Sequence, residues 1–226
     1  MICNYKPHFV SCLGDGVNGN SGSIVISTGT APQGNGGALS FQVGQSGTGI
    51  GGGIEILAGN SSSGIGGSLD LHAGDSTLEE GAGGAIVIAG GSGETSQGGD
   101  MMIFGGDSNV QGGAAVVLQA GSSLGTGELG YGGNTTVVAG DGEQGGDLTL
   151  EGGYGRDGGG AVELRSGSST VANSGNVSVA TDAAEADSGT IVFQTGYTDE
   201  NDSGGITITT GSAASGAAGD IVLKVG

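Results

Sequence analysis

Apolar residues recur along this chain in pairs, one residue apart, with glycines on either side. The phrase "GGSLDLHAGD", Gly66 to Asp75, gives the form: Leu69 and Leu71 alternate with polar residues, and Gly74 closes the run. The first members of the pairs are Ile24, Leu39, Ile54, Leu69, Ile86, Met101, Val116, Thr135, Leu148, Val162, Val177, Ile191, Ile206 and Ile221. Eight of the thirteen gaps between them are 15 residues, and the others are 17, 19, 13, 14 and 14. The second members are Ile26, Phe41, Ile56, Leu71, Ile88, Ile103, Leu118, Val137, Leu150, Leu164, Val179, Phe193, Ile208 and Leu223, all apolar. One step further back, Phe9 and Gly14 suggest an imperfect fifteenth unit in "KPHFVSCLG".

Alternation at period two predicts a strand with one face buried. A unit this short buries nothing alone, so the repeat predicts a stack of such units with a shared core. The expected fold is therefore all-β: a single-stranded parallel β-solenoid of about 15 residues per coil and 14–15 coils. Two further expectations attach to it. The glycines supply turns through positive φ and let neighbouring backbones approach. The position four residues after each first apolar residue is mostly small (Thr28, Val43, Ala58, Ala73, Gly90, Ala120, Ala139, Thr195), as a narrow interior requires. The gaps of 17 and 19 residues place longer loops at Asp75–Ala82 and Ser122–Tyr131.

Two segments are expected: residues 1–20, an N-terminal cap with a partial first coil, and residues 21–226, the repeat array. Cys3 and Cys12 both lie in the first. They form either a disulfide, which implies an oxidising compartment, or a pair of buried thiols. The last phrase, "GDIVLKVG", reads as a full rung without a cap, and an uncovered sheet edge invites self-association through the solenoid ends.

Composition narrows the function. Glycine supplies 57 of 226 residues without a triplet period, and there are two prolines, which excludes collagen. With 23 Asp and Glu against 4 Lys and Arg, the formal net charge is −19. That balance excludes nucleic acid, whose binding needs clustered basic groups, and favours cations. Apolar runs reach five residues, so no membrane insertion is expected, and no signal peptide is visible.

Little points to catalysis. His8 and His72 are the only histidines and neither belongs to a nucleophile motif, so no catalytic or cofactor-binding residue is assigned and the chain is read as non-enzymatic. Asp75, Asp107 and Asp141 each follow the closing glycine of a phrase and are weak candidates for Ca²⁺, with turn formation the simpler role. "GGYGRD", from Gly152, matches the start of a calcium-binding repeat and then departs from it. Four sequons, at Asn60, Asn134, Asn176 and Asn201, permit glycosylation in a secreted chain.

The run "SGSIVISTGTAPQGNGGALSFQVGQSGTGIGGGIEILAGNSSSGIGGSLDLHAGD" resembles the long glycine/serine-rich repeat proteins of diatoms and related algae. The likeness covers nearly all of the chain after Asn20. It implies an extracellular matrix, cell-surface or filament component, hence an extracellular or cell-surface location. The coil size also resembles small ice-binding solenoids, whose outward threonine ranks form a flat face. Here the outward column is interrupted (Glu55, Asp70, Met102, Glu163), and only "GGITITTG", from Gly204, comes near such a rank. The expected function is a rigid acidic structural rod, with binding to ice or another ordered surface as the alternative.

Overall fold

The computed structural model describes residues 20–78, 81–123 and 130–225. The cap, with Cys3 and Cys12, and the unit around Phe9 lie outside them. The chain divides into two units, Met1–Val110 and Gln111–Gly226. In both, the described residues contain no helix and no strand. The expected β-solenoid is therefore overturned: the apolar phrases are present, but nothing pairs them into a sheet.

The period survives in another form. Bends recur at residues 32–34, 47–49, 62–64 and 94–96 in the first unit, and another covers 109–111. They continue at 142–144, 170–172, 199–201 and 214–216 in the second. Those at 62–64, 94–96, 142–144 and 170–172 are the tips of loops whose two ends meet. The Gly67 N–H donates to the Gly59 carbonyl at 2.8 Å, Gly84 to Gly74 at 2.8 Å and Gly99 to Gly91 at 2.8 Å. In the second unit Gly133 donates to Gly121 at 2.8 Å, Gly146 to Gly140 at 2.9 Å, Gly160 to Gly153 at 2.8 Å and Gly175 to Gly167 at 2.9 Å. These bonds are the necks of compact closed loops. From the donor glycine of one neck to the acceptor of the next, as from Gly67 to Gly74 or Gly133 to Gly140, the chain always advances seven residues. We call this stretch, and the corresponding stretch around every other apolar pair, a link. All length variation falls inside the loops, which span six residues from Gly140 to Gly146 and twelve from Gly121 to Gly133.

Side-chain size decides whether a neck closes. The residue before the acceptor faces the donor glycine across the neck. A Cβ on Gly84 would lie 3.4 Å from Ala73 Cβ, and one on Gly133 would lie 3.5 Å from Ala120 Cβ. Every bonded neck has Ala, Gly or Ser there: Ala58, Ala73, Gly90, Ala120, Ala139, Gly152 and Ser166. Where the residue is β-branched (Thr28, Val43, Thr181, Thr195, Thr210), no such bond forms. The loop after Gly105 also lacks the bond, and Ala114 stands there in place of the donor glycine. The glycines thus serve close approach. Among those described, only Gly216 has a positive φ, 143°, so the expected role in left-handed turns falls away at the others.

No hydrophobic residue among those described is buried. The accessible surface is 23109 Å². A compact 21.2 kDa chain would expose about 9,000 Å² and an unfolded one about 31,000 Å². Half-buried residues sit at or beside the bonded necks, among them Ala73, Ser76, Ala120, Ala139, Gly152 and Gly155, and also in the unbonded loop at Thr195 and Thr198. The interior predicted for the apolar pairs is replaced by small local contacts at loop closures.

Candidate functional site

The feature this chain presents repeatedly is the link. In several links, the apolar pair still alternates with its neighbours, as where Ile86 is 55% exposed, Val87 86% and Ile88 66%, whereas Phe193 and Leu223 are more exposed than Val192 and Val222. The zigzag written in the sequence is therefore retained in part by the side chains. Yet even Val43 is 41% exposed, so the shielded side of a link stays open to solvent. Between their terminal glycines the described links contribute no backbone–backbone hydrogen bond. Their amides and carbonyls are free for water or for another strand.

Where two successive links of the first unit lie side by side, they leave an apolar hollow of about 510 Å³. Phe41 and Val43 line one wall, and Ile54 and Ile56 the other, with Glu55 at the edge. The alternation signals each pair, but only the structure brings the two pairs to one hollow. A second hollow, of about 530 Å³, is polar and lies within one loop, among Gln194, Tyr197, Thr198, Asn201 and Asp202. The first is the better candidate for contact, because apolar walls gain from losing water.

Loop tips are organised by hydroxyls. Ser61 Oγ accepts from the Gly64 N–H at 2.8 Å, Ser169 Oγ from Ala172 at 2.9 Å and Ser46 Oγ from Gly49 at 3.0 Å. These are short side-chain turns that stand in for backbone bonds. They give Ser46, Ser61 and Ser169 a role in shaping the turns.

Asp75, Asp107 and Asp141 are each exposed, one per loop, beside Gly74, Gly106 and Gly140. Among the described residues no three Asp, Glu, His or Cys side chains gather as a metal site. His72 is exposed on its link. Asn60, Asn134, Asn176 and Asn201 are exposed as well, and Thr198 Oγ1 accepts from the Asn201 N–H at 3.4 Å. Arg165 pairs with Glu163 two residues away, an exposed pair of little energetic weight. No helix among the described residues is long and apolar enough to cross a membrane. No family model, curated protein or solved structure matches the chain.

Proposed function

We propose that the chain is a non-enzymatic structural component of an extracellular matrix, cell surface or filament. One observation carries the reading: the same exposed apolar link is presented over and over, separated by glycine-rich polar loops. Repetition of one equivalent surface suits a chain that acts by many weak contacts, which linkage strengthens together. The likeness to glycine/serine-rich algal repeat proteins supports the same reading. Its acidity keeps such a surface dispersed until it meets a partner. Immunogold labelling with antibody to the purified chain tests it. Label at the cell surface, and recovery in the matrix fraction, is the expected outcome. Label confined to the cell interior would refute the proposal.

The ice-binding alternative needs a flat rank of outward side chains on strands. With no strand among the described residues, it draws no support from the structure. Purified chain is expected to give no thermal hysteresis, and measurable hysteresis would reinstate the alternative.

A further inference from the structure

We propose that the links are pairing surfaces for a second copy of this chain, laid parallel and in register, link against identical link. The inference rests on the structural reading above and names the partner. Three observations carry it.

The first is area. The chain exposes 23109 Å², which exceeds the roughly 9,000 Å² of a compact chain by many times the ~1,600 Å² of a standard interface. Part of that excess is apolar link surface, including the open hollow between Phe41, Val43, Ile54 and Ile56. Segments such as "SIVIST", "AIVIAG" and "GTIVFQTG" combine β-branched and aromatic residues with unpaired backbone and no proline. That is the composition that stacks on copies of itself.

The second is the placement of charge. Only Glu55, Asp70, Glu151 and Glu163, of 23 acidic residues, fall within the five-residue stretches that start at the first apolar residues. Counted between their bounding glycines the links also hold Asp100, Asp147 and Asp220, which makes 7 of the 23, and the loops carry most of the remainder. A second copy can lie on the links while its loops remain in water. In-register pairing would set Asp75 beside Asp75 and Asp141 beside Asp141, so the association must be opposed at low salt.

The third is register. Gaps of 15 residues alone would let two copies slide by one repeat and pair again. The gaps of 17, 19 and 13 residues break that equivalence. A slip of one repeat misaligns the links that flank Asp75–Ala82 and Ser122–Tyr131, whereas zero slip matches every link. The irregular loops therefore act as register marks.

The test uses the full chain. Sedimentation is measured over a wide concentration range in NaCl from about 0.01 M to about 0.15 M, where the screening length falls from about 30 Å to about 8 Å. A concentration-dependent dimer or larger species is expected, tightening about tenfold or more with salt. Ile86→Ser with Ile88→Ser should weaken it, and Glu94→Gln should strengthen it. A spin label on Thr207→Cys, with Cys3 and Cys12 replaced by Ser, should give an exchange-broadened spectrum, because parallel in-register strands bring equivalent residues to about 4.8 Å. A species unchanged by concentration and salt would overturn the pairing. So would association with sharp spin-label lines, or binding to phosphatidylcholine vesicles by a chain that stays monomeric. A surface-located chain that never self-associates would sink this inference and leave the structural reading intact.

Discussion

At the scale of the residue, neck closure turns on one side chain. Ala73 leaves room for the Gly84 N–H to reach the Gly74 carbonyl at 2.8 Å, whereas Thr195 stands against Gly204 and that bond is missing. Ala73→Thr should therefore open its neck, and Thr195→Ala should let Gly204 donate to Gly196. Amide hydrogen exchange reads both: Gly84 should exchange faster in the first variant, and Gly204 more slowly in the second. The change is expected to be up to about tenfold, since an exposed hydrogen bond contributes about 1 kcal/mol. A Cβ on Gly152 would run into the Gly160 carbonyl oxygen, while one on Gly153 meets nothing within 4 Å. Gly152→Ala should accordingly loosen the Gly160 amide and Gly153→Ala should leave it alone. Equal effects from the two would mean that space at the neck is not the constraint.

At the scale of the element, links and loops have exchanged the parts that their sequences suggest. Apolar alternation marks the link as the place for a core, yet the shielding is at the small residues of the neck. The alternation was legible and real: it fixes which side chains of a link share a side, as Ile86 and Ile88 do. It does not record whether another segment lies alongside, because period two is the same for a paired strand and a solitary one. Loop length was legible as well, since the gaps of 17 and 19 residues map onto the loops from Gly74 to Gly84 and from Gly121 to Gly133. The hollow between Phe41 and Ile54 was not, because it depends on how neighbouring links face each other. Ile191→Ser tests the exchange of parts. In the dilute chain it should leave exchange at the Gly175 neck unchanged, with a cost under about 0.5 kcal/mol. A cost of about 2–4 kcal/mol would be that of a packed core position.

At the scale of the whole molecule, stability is a sum of separate small closures, with no buried hydrophobic residue among those described. Cooperative melting needs a large surface hidden at once, and its heat scales with that surface. A compact chain of 226 residues would absorb about 150 kcal/mol on unfolding. The dilute chain is expected to give a nearly flat calorimetric trace, and a sharp peak there would refute the open arrangement. Under associating conditions a peak should appear and move with concentration. The constant advance of seven residues between necks has a practical corollary. Each bonded loop, such as Gly140 to Gly146, is bounded by its own glycine bond, so its length is invisible to its neighbours. A foreign peptide spliced between Asp141 and Gly145 would be carried on a stalk already shaped to tolerate it. Several different peptides could be displayed along one chain at chosen intervals, each cargo held clear of the next by a link that does not change.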